Sequence, residues 1–496
     1  MKLLTETNGG KLLIKSEDEE EGEPHPHCAH GPTLLFYYEN IGPKEGYYAC
    51  SAYRDKKLCS FNLPVKELTT KHLSRVYDVS TLQFRNLREK FLDSTYETQK
   101  HYCLTCNEPL KESDLQPHLK HEVKRNLATR LINNPTMFLT PLDNDKAQAQ
   151  YFFDDKALQF FENCFNDLKI TKVICIGAPR LHAHLTNMCS ANIKSFLLDF
   201  DYRFYYFYND QEFAWYNMCN NHFFDELQKQ EFFRFLKCKS NERVLIFTDP
   251  PFGCRTEPVA ATLLKLTKLY NRINQLPYQP LPIFWIFPYF SAHYIQQQMP
   301  ALQMSDYKIN YTNHTSYTDM GNKSRKLGSP VRIFTNVPLQ LLKLPIQEQY
   351  KYCCKCEKYT ALENRHCVKC NSCPSKNGAT YKHCDLCGLC VKPYYVHCNN
   401  CRRCTQLEGH NCSEYQNKQK CWICREVGHT EQKCSYWQRK MKCSNIFPRY
   451  SLNAKETEIV CLLCKFKGHN EMMCDKRDKY FKEFTFMSET QLLEKV

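Results

Sequence analysis

Between residues 140 and 345, short apolar runs alternate with longer stretches in which apolar positions recur at helical spacing. TKVICIGAPR, KSFLLDFD, ERVLIFTDPPF and PIFWIFPYF read as strands, and further strands are expected near DYKINYTNHTSY and PVRIFTN. FFDELQKQEFFRFLKC and EPVAATLLKLTKLYNRINQ read as helices between them. This alternation predicts a parallel α/β sheet, in which ligands bind at the carboxyl ends of the strands. The N-terminal stretch carries the acidic run SEDEEEGE and few apolar positions, so it is expected to be disordered. After residue 350 the apolar pattern fades and Cys, His, Lys and Asn take over.

Composition sharpens this picture at one residue type. Of 31 cysteines, 20 fall between Cys353 and Cys474. The segment MKLLTETNGGKLLIKSEDEEEGE turns acidic before any long apolar stretch, so it does not read as a secretory signal. The most apolar run, LPIFWIFPYF, is too short to span a bilayer. Dense cysteine without a secretory route reads as zinc binding, not disulfides. The expectation is an intracellular, soluble, zinc-rich protein of about two to four domains. The net charge is +14, and the 26 Lys/Arg against 15 Asp/Glu from residue 351 onward place +11 of it in the tail. Zinc-bound thiolates would remove part of that charge.

The most informative tetrapeptide is Asp249-Pro250-Pro251-Phe252, at the end of the apolar run VLIFT. Pro-Pro also ends regular structure in ordinary turns, but the placement at a strand end favours chemistry. An exocyclic adenine amine is a poor nucleophile because its lone pair is delocalised into the ring. A carboxylate and a proline carbonyl, each accepting one N–H, favour a geometry in which that lone pair can face an electrophile. Prolines stiffen the loop, and Phe252 offers a flat face for a flipped-out base. The electrophile would be the methyl of S-adenosylmethionine (SAM). Gly177, in Ile176-Gly177-Ala178-Pro179, would let backbone approach a nucleoside. Asp199 and Asp201 end the second strand, where a carboxylate can hold ribose hydroxyls or merely cap a helix. Phe290, after the fourth strand, is a further candidate wall.

These residues resemble the N6-adenine methyltransferases, whose D/N-P-P-F/Y/W signature matches residues 249–252. The chain is more closely similar to the zinc finger CCHC domain-containing protein 4 family of ribosomal RNA methyltransferases. The shared segments are CAHGPTLLF, AQYFFD, IGAPRLH, LLDFDYRF, YNMCNNHFFD, TDPPFG and SPVRIFTN, then the cysteine-rich tail. The resemblance implies a Rossmann-like SAM-dependent methyltransferase domain flanked by several small zinc-binding modules. It also implies that SAM is held by Gln150-Tyr151-Phe152-Phe153, Arg180, Asp199 and Asn217-Met218, beside Gly177 and Asp249. Composition alone would leave Gln150–Phe153 and Asn217-Met218 as ordinary core or surface.

Cys28, His30, Cys50 and Cys59 form a set that resembles the GRF zinc finger, a module associated with single-stranded nucleic acid. Cys103, Cys106, His118 and His121 form a C2H2-like set with an unusually short His spacing. Each has the four N/S donors of a closed structural site. Residues 353–412 repeat the phrase H-C-x2-C-x2-C, starting at His366, His383 and His397. The candidate ligands there are Cys353, Cys356, Cys367, Cys370, Cys373, His383, Cys384, Cys387, Cys390, His397, Cys398, Cys401, Cys404, His410 and Cys412. They suffice for about three zincs at four donors each, and which residues share an ion is left open. The block is similar to the cysteine-rich part of DHHC palmitoyltransferases. The DHHC tetrapeptide and the transmembrane helices are missing, which excludes acyl transfer. Cys421, Cys424, His429, Cys434 and Cys461, Cys464, His469, Cys474 are two CCHC knuckles, of a type that binds single-stranded RNA. Trp422 and Phe466 would stack bases or fill a local core, and the basic runs QRKMKC and KRDKYFK would meet phosphates.

The expected layout is a disordered acidic 1–25, a GRF-type finger over 26–65 and a linker with a C2H2-like finger over 66–135. The N6-adenine methyltransferase domain follows over 136–348 and a Cys/His-rich DHHC-like domain over 349–415. CCHC knuckles at 418–436 and 458–476 and a basic tail over 477–496 complete it. The expected function is SAM-dependent N6-methylation of adenosine in RNA. By resemblance the target is large-subunit ribosomal RNA, with a nuclear and nucleolar location, the cytoplasm also open, and ribosome-biogenesis proteins as partners. Two alternatives stand beside it: a protein glutamine or lysine methyltransferase, and an RNA-binding zinc scaffold with an inactive fold.

Overall fold

The structure is a computed structural model that describes residues 12–17, 24–53, 57–74, 81–92, 100–140, 151–187, 193–313, 329–401, 403–406 and 410–412. Gln150 and both CCHC knuckles lie outside the described residues. The chain divides into two compact units, one of Leu13–Tyr37 with Ile41–Val337, the other chiefly the chain from Pro338 onward.

The first unit is organised by an eight-stranded sheet. Its strands are β1 (Lys172–Ile176), β2 (Lys194–Asp199), β3 (Phe213–Asn217), β4 (His222–Phe223), β5 (Val244–Thr248), β6 (Ile283–Pro288), β7 (Gln303–Met304) and β8 (Val331–Thr335). The spatial order is β4-β3-β2-β1-β5-β6-β8-β7. Neighbours from β3 to β6 run parallel, whereas β4, β8 and β7 pair antiparallel at the two ends. Every residue of β1, β5, β6 and β8 is buried. A strand covered on both faces needs a continuous apolar run, which is why these were visible in the sequence. One face of the sheet is packed by a core that includes Ile174, Leu198, Ile246, Trp285 and Phe334 from the strands and Phe232 and Leu263 from the helices.

The helices are α1 (Asp155–Asp167), α2 (Pro179–Asn187), α3 (Glu226–Leu236), α4 (Thr256–Ile273) and α5 (Ala292–Gln298). Asp154 caps α1 by accepting from the Ala157 N–H at 2.8 Å, and Asp225 caps α3 through the Leu227 N–H at 2.9 Å. Among the described residues no helix is long and apolar enough to cross a membrane.

Two expectations change. Leu12–Lys15, inside the stretch expected to be disordered, is a strand at the edge of a four-stranded sheet whose next strand is Leu34–Tyr38. Its LLIK sequence supplies apolar residues for that sheet, which the acidic run beside it obscures. Over 306–313, the described part of DYKINYTNHTSY, the expected strand is not formed; Tyr311 makes an isolated bridge to Phe153. Tyr307, Ile309 and Tyr311 are all buried, so the two-residue alternation is present. The backbone of this segment bonds instead to residues 152–154 and to Val331, so no continuous ladder forms.

Candidate functional site

The order of the sheet reverses between β1 and β5, and both strands end there. Ile176 and Thr248 are register partners, so Gly177 and Asp249 follow side by side. The Asp249 N–H donates to the Ile176 carbonyl at 3.0 Å. Gly177 has φ +64°, and a Cβ there would stand 2.8 Å from Met218 Cε and 3.0 Å from the Asp249 carbonyl oxygen. Glycine is required, and it leaves backbone open to a ligand.

Asp249 touches solvent with part of its surface but is densely surrounded by protein. Burial pushes its pKa well above the usual carboxylate range, while a hydrogen bond from the Tyr311 hydroxyl to Oδ1 at 3.0 Å opposes that shift. The Pro251 carbonyl accepts from the Cys254 N–H at 2.8 Å and closes the turn. Among the described residues no such bond engages the Pro250 carbonyl. The Phe252 ring lies nearly parallel to Tyr151, centroids 5.9 Å apart at 26°, and edge-on to Phe287 at 6.0 Å. The structure therefore brings Asp249, Pro250, Pro251, Phe252 and Tyr151 to one place, with Phe152 and Phe153 buried behind. Phe290 is 64% exposed beyond the end of β6.

The two acids after β2 separate sharply. Asp201 is locked to Arg203, whose Nε donates to Oδ1 at 2.9 Å and whose Nη2 donates to Oδ2 at 2.6 Å. Asp199 accepts from the Asp201 N–H through Oδ1 at 2.9 Å, and its Oδ2 is buried without a hydrogen-bond partner. Burial first, then the Asp201 charge, raises its pKa to about 7. A buried orphan acceptor of this kind costs about 1–3 kcal/mol unless a ligand satisfies it. An orphaned carboxylate oxygen beside a glycine cradle fits the ribose and backbone contacts of an adenosyl cofactor. Arg180, the second residue of α2, donates to Asp155 Oδ1 at 3.3 Å, a partner whose side chain is 91% exposed.

Asn217 ends β3 and Met218 follows it, with Met218 over Gly177 as noted. The Asn217 amide, however, donates to the His30 carbonyl and to Ser51 Oγ, both at 2.9 Å. Asn220 donates to the same carbonyl at 2.9 Å and to that of Pro32 at 2.8 Å. Asn217 thus clamps the first cysteine-bearing module, and Met218 is the member of the pair that meets the cradle. No sequence signal marks this, since the partners are 187 residues apart.

Cys28, His30, Cys50 and Cys59 bring their donor atoms together, as do Cys103, Cys106, His118 and His121. In the second unit the donors fall into interleaved sets: Cys353, Cys356, His366 and Cys373, then Cys367, Cys370, His383 and Cys390, then Cys384, Cys387, His397 and Cys404. Cys398, Cys401, His410 and Cys412 form a further cluster, with Cys398–Cys412 at 3.6 Å and His410 Nε2 at 3.4 Å from both Cys401 and Cys412. A tetrahedral zinc with ordinary Zn–S and Zn–N bonds sets its donors about 3.5–3.8 Å apart. The Sγ–Sγ separations Cys356–Cys373 and Cys387–Cys404 are 3.7 Å, Cys370–Cys390 is 3.6 Å, and His383 Nδ1 lies 3.7 Å from Cys367. These residues fit zinc, in four sets instead of about three. His366 completes the first set; its place in the repeated phrase, matching His383 and His397, was the available signal. Each H-C-x2-C-x2-C phrase is split, its His and last Cys serving one set and its middle Cys pair the next.

A family model described as "Probable N6-adenine methyltransferase" matches residues 144–336. The rRNA N(6)-adenosine-methyltransferase ZCCHC4 of Homo sapiens is 41% identical over 431 residues, 83% of this chain and 82% of that one. Its counterpart in Mus musculus is 39% identical over 70% of each chain, and that of Xenopus laevis 37% identical over 69% of this chain and 72% of that one. At 41% identity over four fifths of both chains, and with the family model matching the segment that holds the sheet and the Asp249 loop, this protein belongs to the ZCCHC4 family of rRNA N(6)-adenosine-methyltransferases.

Proposed function

We propose that the chain methylates N6 of an adenosine in large-subunit ribosomal RNA, in the nucleolus, with SAM as donor. The observation that carries this is the Asp249 loop beside Gly177 at the sheet reversal, with Asp199 Oδ2 awaiting a donor one strand away. Asp199, Gly177, Met218 and the Tyr151–Phe153 segment would hold SAM, which supplies an electrophilic methyl group. The chain's own part is to make the amine reactive. Asp249 accepts one N6–H and the Pro250 carbonyl the other, which orients the lone pair; the Phe252 ring supports the base. Once nitrogen has gained a fourth bond it must shed a proton, and Asp249 is placed to take it. The raised Asp249 pKa suits it as that acceptor, provided it is ionised when the base arrives. The metal sets have no open position and would act as structural zinc, shaping surfaces for RNA.

The test is transfer of tritium from labelled SAM to total ribosomal RNA or to a protein extract, with zinc-loaded wild type and Asp249→Ala. Label in RNA, recovered as N6-methyladenosine and lowered about 100-fold or more by the substitution, supports the proposal. Label only in protein would replace it with the amide or amine methyltransferase reading.

A further inference from the structure

Tyr311 has no place in the signature, in the metal sets or in the short segments on which the family resemblance was first read. It is 2% exposed, and its hydroxyl donates to the Asp249 carboxylate. The ring is fixed on several sides: stacked on Phe153 at 5.1 Å and 25°, and edge-on to Tyr151 at 5.9 Å and Phe252 at 6.1 Å. Its backbone is laced to the same aromatic segment. The Asp154 N–H donates to the Asn310 carbonyl at 3.1 Å, the Thr312 N–H to the Phe152 carbonyl at 2.8 Å, and the Phe152 N–H to Asn313 Oδ1 at 2.7 Å. The hydroxyl therefore has little freedom to leave the carboxylate.

We infer that Tyr311 is a positioning residue for methyl transfer: by tying down Asp249 Oδ1 it fixes the carboxylate plane and leaves Oδ2 to accept the N6 amine. The physical need is specific. The carboxylate torsion is broad, so an untethered carboxylate samples orientations that miss the amine. A half-desolvated carboxyl that picks up a proton presents an O–H where an acceptor is required. A phenol that donates to the carboxylate opposes both failures, because it favours the ionised form. The titratable groups on the segments around Asp249 are the Tyr151 and Tyr311 phenols, Cys254 on its own loop, Cys219 beside Met218, and Asp199 one strand beyond Gly177. Among the described residues, burial raises the Asp249 pKa and the Tyr311 hydrogen bond opposes that rise.

The inference rests on the proposed transfer reaction, and the experiment separates the two. Full-length, zinc-loaded wild type and Tyr311→Phe are assayed on total ribosomal RNA across pH, and SAM affinity is measured by calorimetry. If wild type fails to label RNA, the functional reading fails first. If it labels RNA, Tyr311→Phe should lower kcat about tenfold, the worth of one hydrogen bond to a charged group. KM and SAM affinity should hold, and the acid limb of the kcat profile should move to higher pH. A kcat and acid limb equal to wild type would overturn the inference, as would a loss explained entirely by weaker SAM binding. Site-specific 3-fluorotyrosine at position 311 keeps the shape and strengthens the donor, so its acid limb should move to lower pH. An unmoved limb there overturns the inference even if the phenylalanine variant does not accumulate.

Discussion

Asp199 and Asp201 stand two residues apart after the same strand, yet their environments give them opposite capacities. Asp201 spends both oxygens on Arg203, whereas Asp199 keeps Oδ2 in reserve. Because the Asp199 pKa is raised to about 7, the unliganded protein holds a proton there that its unfolded chain would not. The sign follows: that contribution to stability is present at acid pH and is lost as pH rises through about 7. Ribose hydroxyls donate best to the ionised form, so SAM affinity should strengthen between about pH 6 and 8. Calorimetric titrations at several pH values check this, and Asp199→Asn should weaken binding and flatten the slope. The sequence showed that strand-end acids matter here, because apolar runs make strand ends visible. Periodicity did not show which acid is free, since that depends on how Arg203 folds back onto Asp201; only the family resemblance singled out Asp199.

At the scale of elements, the module around His30 and the loop between β3 and β4 act as one piece. Asn217 and Asn220 both grip the carbonyl of His30, itself a member of the first donor set. Gly31 has φ +90°, and a Cβ there would sit 2.5 Å from His222 Cγ, so the approach is as close as backbone allows. Met218, between the two asparagines, packs over the Gly177 cradle. Metal at this finger should therefore reach the cofactor site. Cys50→Ser should lower zinc content by one equivalent per chain, read by elemental analysis, and should also weaken SAM binding. Asn217→Ala should keep its zinc and weaken SAM binding by about 1 kcal/mol, because Asn220 still holds the His30 carbonyl while the Asn217 bonds to it and to Ser51 are lost. Wild-type SAM affinity in Cys50→Ser would show the finger and the site to be uncoupled. The long apolar strands of this sheet were legible because both faces are buried. β3 was not: in FAWYN the central Trp215 is only partly buried and the run ends in a polar asparagine. The contact that gives β3 its importance joins residues nearly two hundred positions apart, beyond any local pattern.

Across the whole molecule, the fold class and the presence of Cys/His donor clusters were readable because they rest on periodicity and ligand counts, whereas the metal connectivity rests on distances. The eye groups His366 with Cys367, but the two neighbours belong to different donor sets. The four sets span 353–373, 367–390, 384–404 and 398–412, so each begins before its predecessor has closed. Every peptide bond from Cys353 to Cys412 thus lies inside at least one metal loop. A single protease cut anywhere in that stretch should leave both fragments bound together at neutral pH, co-eluting on gel filtration, and a strong chelator should release them. Separation without a chelator would show that the metal loops are not closed as the donor sets require. The same overlap bears on inheritance: a crossover inside the stretch leaves a loop without its closing ligand unless it removes or inserts whole repeats in register. This region can therefore lengthen or shorten only by complete links, as a chain does.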